Sequence, residues 1–258
     1  MRLSVSKIKT FKACRRLYQL KYIELLEPIV RPEALETGAN YHKLLERINN
    51  GDMTALDEDY SKESAMAIAY HKYIYPKFHV TEAEKWLEYD LGDKDFLVGI
   101  VDAVSDNGYI VEHKTTGSEI TEEYEYGLQW DEQILAYMLM TGMRKVWYTV
   151  CRKPTIRQKK DETAEDFFGR MVAWYDVDTE SKIRLLEIIR TDEEVEQFRL
   201  ELLSMCDTMK KVESIGTYYK NTCHCKQYGR RCEYSSICLN YDPNQEYLEF
   251  TKGDYENG

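Results

Sequence analysis

Apolar residues recur along the chain at two spacings, and the spacing sorts it into elements. A helical period opens at Ser4 or Ser6, either of which can cap, and runs to about residue 24, with Ile8, Phe11, Cys14 and Tyr18 on one face. Residues 33–49 form a second helical stretch in which Leu35, His42 and Leu45 share a face beside the small Gly38 and Ala39. A third covers 61–75 and is stopped by Pro76. The period then shortens: 86–91 and 96–104 read as strands, followed by the run 109–116. A long helix from about 121 to 141, a strand over 146–151, a helix over 164–174 and a strand over 182–190 come next. Thr191 and Glu194 make a capping box for a last helix to about residue 212, and the residues from Asn240 on are polar and predicted loose.

The stretch 99–116, GIVDAVSDNGYIVEHKTT, organises the rest. Its two apolar runs are joined by Asp106-Asn107-Gly108, a hairpin signal. Asp102 interrupts the first run, and Glu112 and Lys114 interrupt the second. Buried strands do not carry three charges without compensation, because an unpaired buried charge costs several kcal/mol. A divalent cation compensates: two carboxylates hold it, and a nearby lysine poises water and balances charge. Glu112 and Lys114 are two apart and share a face. A two-residue Asn-Gly loop pairs Asp106 with Tyr109 and turns Asp102 away. A three-residue loop pairs Ser105 with Tyr109 and sets Asp102 opposite Glu112. That loop is a type I turn closed by a left-handed residue, a position that Gly108 fits.

Composition narrows the class. The 258 residues carry a formal charge of −11, which argues against a surface that coats nucleic acid but leaves room for a local basic groove. No apolar run nears the ~18 residues of a membrane span, and no apolar signal core opens the chain, so a soluble cytoplasmic protein is expected. Five of the nine residues 152–160 are basic, around Pro154; the run is either solvated or a track for a DNA backbone. Seven cysteines occur, four of them within the sixteen residues 223–238. In an intracellular chain such a cluster reads as a metal site before disulfides. Cys225, Cys232 and Cys238 lack a fourth ligand nearby, and Cys14 is the candidate; Cys223 can replace Cys225, and His224 can intrude. Four thiolates suit zinc as well as an iron–sulfur cluster. Cys151 and Cys206 sit in regular elements and read as core.

Asp102 with Glu112-x-Lys114 resembles the motif of the PD-(D/E)XK nucleases, with Val101 where that name has proline. Gly38-x-x-x-His42 and Gln133-x-x-x-Tyr137 resemble two further elements of its RecB-type members, in the same order. One N-terminal and three C-terminal cysteines resemble the iron–sulfur staple of AddB-type and CRISPR-associated RecB-like nucleases. The resemblance spans Cys14 to Cys238. It implies an α/β fold, a restriction-endonuclease-like core with a mixed central sheet flanked by helices. Residues 1–258 would form one nuclease domain, with 1–30 and 213–240 as a helical, cluster-bearing cap and 241–258 as a polar tail. It further implies Mg²⁺ or Mn²⁺ on His42, Asp102, Glu112 and the His113 carbonyl, with Lys114 acting on the attacking water. Gln133 and Tyr137 would position Lys114 and the phosphate, and Cys14, Cys225, Cys232 and Cys238 would hold a 4Fe-4S cluster. The implied activity is hydrolysis of DNA, exonucleolytic on single strands, in recombination, repair, phage DNA processing or CRISPR adaptation, with partner proteins in the recombination and CRISPR settings. The alternative is a non-catalytic DNA-binding or scaffold protein with a structural zinc.

Overall fold

The computed structural model describes residues 1–29, 33–57, 59–227, 229–239 and 250–252. In chain order the elements are β1 (Arg2–Leu3), α1 (Val5–Ala13), α2 (Arg15–Tyr18), β2 (Leu26–Pro28), α3 (Glu33–Asn49), α4 (Lys62–Tyr73), β3 (Val80–Gly92), β4 (Asp95–Ser105), β5 (Ile110–Thr116), α5 (Glu122–Leu128) and α6 (Glu132–Thr141). They continue with β6 (Lys145–Arg152), α7 (Ala164–Trp174), β7 (Ile183–Ile189), α8 (Asp192–Ile215), β8 (Lys226–Gln227), β9 (Arg230–Arg231), α9 (Ser235–Leu239) and β10 (Phe250–Lys252). The chain divides into two compact units, one of Met1–Pro32, Glu88–Gly99 and Glu196–Gly258, the other of Glu33–Leu87 and Ile100–Val195.

The second unit holds a mixed sheet flanked by helices. Antiparallel β4–β5, parallel β5–β6 and antiparallel β6–β7 ladders run through it, and β3 pairs with β4. Side chains alternate across each strand. Val146, Tyr148 and Val150 of β6 therefore pack with Ile134, Tyr137 and Met138 of α6. Cys151 and Ile183 pack with Tyr41, Leu45 and Ile48 of α3 and Met66 and Tyr70 of α4. The sheet is thus covered on both sides, as parallel pairing requires. Ser61 caps α4 as its side chain accepts from Ser64 N, and Asp131 caps α6 by accepting from Gln133 N. Leu35, expected to share an inward face with Leu45, is exposed, while Leu45 is buried.

In the first unit β1 pairs in parallel with Phe96 and Leu97 of β4, and β10 pairs antiparallel with β2. That strand corrects part of the expected loose tail; residues 240–249 and 253–258 lie outside the described residues. The first helix does not run unbroken to residue 24. It breaks at Cys14, whose backbone is extended (φ −162°, ψ 119°), and resumes as α2 and a π-helical turn over Gln19–Ile23. Asn221 fills the break: its amide nitrogen Nδ2 donates to Ala13 O at 2.7 Å, and its backbone N lies 3.3 Å from Cys14 Sγ. The helix expected over 121–141 is likewise two helices, because Asp131 leaves the helical conformation to cap α6. The strand expected over 86–91 is longer, Val80–Gly92. The capping box is present: Glu194 N donates to Thr191 Oγ1 and Thr191 N to Glu194 Oε2 at 3.2 and 2.8 Å.

Candidate active site

The β4–β5 turn has the expected form. Ser105 N donates to Tyr109 O at 2.9 Å, Gly108 N donates to Ser105 O at 3.1 Å, and Gly108 has φ +78°. The ladder pairs Val104 with Ile110 and Ala103 with Val111, so the register carries Asp102 opposite Glu112. There the paired rungs end. The Asp102 side chain replaces the next one, its Oδ2 accepting from His113 N at 2.7 Å. Asp102 thereby sits where β4 and β5 part, and its Oδ1 lies 3.4 Å from Nδ1 of His42 on α3.

Glu112 and Lys114 face α6. Lys114 Nζ donates to Glu112 Oε1 at 2.7 Å and to Gln133 Oε1 at 2.9 Å, and lies 3.6 Å from Asp131 Oδ2. Gln133 Nε2 donates to the Tyr137 hydroxyl at 2.7 Å, which donates to Ile100 O at 2.6 Å. Tyr148 OH donates to Asp131 Oδ2 at 2.9 Å. One turn of α6 therefore presents Gln133 and Tyr137 four apart to the lysine, and its cap adds a carboxylate that the sequence did not single out.

His113 points its ring to the other face. Tyr70 OH donates to Asn49 Oδ1 at 2.8 Å, which turns Asn49 Nδ2 toward His113 Nε2 at 3.3 Å. Nε2 is then an acceptor, the proton resides on Nδ1, and Nδ1 donates to Thr149 Oγ1 at 2.5 Å. Burial lowers the His113 pKa to about 4 against the pull of Asp102, so the ring stays neutral. A Cβ on Gly38 would meet Thr115 Oγ1 at 3.7 Å, an ordinary contact, so sterics do not demand glycine one turn before His42.

Glu84 is the residue that the sequence did not disclose. Ligand atoms of His42, Glu84 and Asp102 lie within 4.8 Å of one another. Glu88, further along β3, pairs with Arg2 in the first unit. Glu84 has φ +48° inside β3, a conformation that costs a non-glycine residue energy and gathers at functional sites.

Electrostatics make this an acid-rich pocket. Burial and the Asp102 charge raise Glu112 to about 8 despite Lys114. Burial, Asp102 and Glu46 raise Glu84 to about 7. Burial would lower His42, but its bond to Asp102 and the charges of Asp102, Glu112 and Glu84 outweigh it and raise the imidazole. Burial would likewise lower Lys114, yet Glu112, Asp131 and Asp102 raise it, so it is an ammonium at neutral pH. Glu112 Oε2 is buried with no hydrogen-bond partner. Such an atom is costly unless something binds it. Carboxylate oxygens with one imidazole fit a divalent cation.

In the first unit Cys14, Cys225, Cys232 and Cys238 line one cavity, together with His224 and Lys220, whereas Cys223 is exposed. Cys232 N donates to Cys225 O at 2.9 Å, which holds two of them on one hairpin. Among the described residues no three of these sulfurs lie within 4.8 Å of one another. Cys151 and Cys206 are buried, as expected of core residues. Among the described residues no helix is long and apolar enough to cross a membrane.

No curated protein matches the chain. Among solved structures it is similar to a candidate exonuclease from Eubacterium rectale, at 13% identity and TM-score 0.56, covering 92% of this chain and 93% of that one. A phage-related exonuclease from Haemophilus somnus 129PT is similar at 14% identity and TM-score 0.41, covering 60% of this chain and 70% of that one. The first of these likenesses is one of fold. Residues 2–239 match the PD-(D/E)XK nuclease superfamily, and the chain belongs to it.

Proposed function

We propose that this nuclease is a metal-dependent exonuclease that hydrolyses phosphodiester bonds at the ends of single-stranded DNA. The setting is DNA recombination, repair, phage DNA processing or CRISPR adaptation, where partner proteins would deliver the strand. One observation carries the reading: Asp102, with His42 and Glu84 beside it, sits where the β4–β5 ladder ends, and its register leads to Glu112 and the Lys114–Gln133–Tyr137 chain. Asp102, Glu112 and His42 would hold Mg²⁺ or Mn²⁺, with Glu84 added to that set and the His113 carbonyl as a further donor. When bound, such an ion polarises the phosphoryl group and lowers the pKa of its water.

The protein's own groups do the rest. Lys114, charged because two carboxylates adjoin it, orients the attacking water by donation and faces the negative charge that builds on phosphorus oxygens. Gln133 accepts from Lys114 and fixes its direction, and Tyr137 anchors Gln133 to Ile100 O. The basic run 152–160 starts beside Thr116, two residues past Lys114, since Lys153 N donates to Thr116 O at 2.8 Å. That placement supports a backbone track from the site. Arg152 itself is engaged, by Glu119 at 3.1 Å and by the Trp174 ring.

End-labelled single- and double-stranded DNA with Mg²⁺ or Mn²⁺ tests the proposal. Stepwise shortening of single strands is expected, with Lys114→Ala inactive yet still binding DNA, and Asp102→Ala deficient in metal binding too. Full activity in Lys114→Ala would remove that residue from catalysis, and no cleavage by the wild type would remove the activity.

A 4Fe-4S cluster on Cys14, Cys225, Cys232 and Cys238 completes the proposal, as a clamp joining residues over two hundred apart in sequence. The four cysteines line one cavity, which supports a shared centre there. Anaerobic protein should be brown and contain iron, and Cys232→Ser should bleach it. Colourless protein with one zinc would overturn this.

A further inference from the structure

Trp130 is 72% exposed, and no large apolar side chain among the described residues is more so. It lies between α5 and α6, next to Asp131, whose carboxylate is 3.6 Å from Lys114 Nζ. Its backbone is fixed from both sides. Arg190 donates to Gln129 O at 2.6 Å and to Gln129 Oε1 at 2.9 Å, while Trp130 N donates to Gly127 O at 3.2 Å and Asp131 N to Leu128 O at 3.2 Å. Tyr126, 60% exposed, stands edge-on to the indole with ring centroids 5.9 Å apart. Nearer the site on α5, the half-buried Tyr124 feels the charges of Lys114 and Asp131. A hydrogen-bonded turn thus carries two exposed rings into water on the segment that bears Asp131, the carboxylate 3.6 Å from Lys114 Nζ.

We propose that Tyr126 and Trp130 form a stacking step for an unpaired nucleobase of the substrate strand, next to the phosphate that is cut. The proposal rests on the nuclease function proposed above and assigns its single-strand preference to named residues. The surroundings select the ligand. Glu122, Glu123 and Glu125 stand in the first turn of α5, Glu125 paired with Arg184, and Asp131 and Glu132 open α6. These acids repel phosphate, so the rings meet the flat, neutral face of a base and neither a DNA backbone nor an anionic lipid surface. Bases inside a duplex stack on each other and do not offer that face, whereas bases in a single strand do.

The test uses the full chain with Mn²⁺ and a labelled oligothymidylate. Trp130→Ala should raise KM at least fivefold, the lower bound of what a stacked base contributes (~1 kcal/mol). It should leave kcat within about twofold, with Trp130→Phe recovering most of the loss; Tyr126→Ala should act in the same direction. The dependence of log KM on log salt should keep its slope, because no phosphate contact is lost. One abasic position walked along the substrate should weaken the wild type at a single register and leave Trp130→Ala indifferent there. Cleavage with unchanged KM, or wild-type tolerance of an abasic site at every register, overturns the stacking step and leaves the nuclease function standing. Absence of cleavage of any DNA by the wild type overturns both.

Discussion

Asp131→Asn and Asp131→Ala separate two consequences of one carboxylate. Its Oδ1 accepts from Gln133 N at 3.1 Å and caps α6; its Oδ2 accepts from Tyr148 OH at 2.9 Å and lies 3.6 Å from Lys114 Nζ. Asparagine caps as well as aspartate does, and its Nδ2 can donate to the Tyr148 oxygen, so the fold should be nearly unaffected. Alanine loses the cap, at about 1 kcal/mol, and leaves the hydroxyl of a buried tyrosine unpaired, at about 1–3 kcal/mol. At roughly 2–4 °C per kcal/mol for a chain of this size, Tm should fall by about 4–16 °C for alanine and by little for asparagine.

The charge tells in catalysis instead. Opposite charge within about 4–6 Å moves a pKa by about 1–3 units. Lys114 is partly exposed and keeps Glu112, so its pKa falls, but not wholly, in Asp131→Asn. If Lys114 works as the ammonium, the alkaline limb of kcat against pH moves down, because the proton now leaves at lower pH. Pre-steady-state cleavage of labelled single strands, carried from neutral pH to beyond the ordinary lysine value of 10.5, beside thermal melts, measures both effects. Equal melting of the two variants would refute the cap. An unmoved alkaline limb would refute control of Lys114 by this carboxylate.

Gly108→Ala should cost about 1 kcal/mol through its positive φ alone, since a Cβ there meets nothing within 4 Å; Tm drops by roughly 2–4 °C while cleavage at saturating metal is unchanged. Without metal Glu112 and Glu84 have pKa values raised to about 8 and about 7, and His42 is raised too, so divalent-metal binding there should release protons near pH 7. Calorimetry in buffers of different ionisation enthalpy reads that release, metal affinity should rise from pH 6 to 8, and zero release contradicts the assignment. Asn49→Ala should weaken Mn²⁺ binding about tenfold, because it frees the His113 ring whose backbone N–H holds Asp102; unchanged affinity removes Asn49 from the support of the site.

What was legible in the sequence was local. The three-residue turn follows from chain parity and a glycine at the one left-handed position, and the capping box from two residues three apart. Gln133 and Tyr137 share a helix face because of helical geometry alone. What was hidden depends on partners far along the chain. Nothing near Cys14 announces that Asn221 enters the backbone there, so a continuous helix was the natural expectation. Asp131 reads as one more polar residue inside a helical run until Lys114 and Tyr148 give it reason to leave the helix. Glu84 needs a strained β3 backbone to reach its place, and no periodicity encodes strain.

The two hidden carboxylates complete the charge balance of the pocket. Asp102 and Glu112 alone are matched by Lys114 and by the His42 ring, whose basicity Asp102 raises, and that pairing would be an ordinary ion-pair network. Glu84 and Asp131 tip it to four acids against two bases, in a place where burial already raises Glu112 and Glu84. Protons can settle the excess, and so can a divalent cation. The cation does it without silencing the carboxylates as ligands, and Glu112 Oε2, buried and unpartnered, is the atom with most to gain. The same arithmetic reconciles a charge of −11 with a nucleic-acid substrate. Much of the chain repels DNA, which disfavours indiscriminate binding, and an ion held there, together with the lysine, would make one point where a phosphate is welcome.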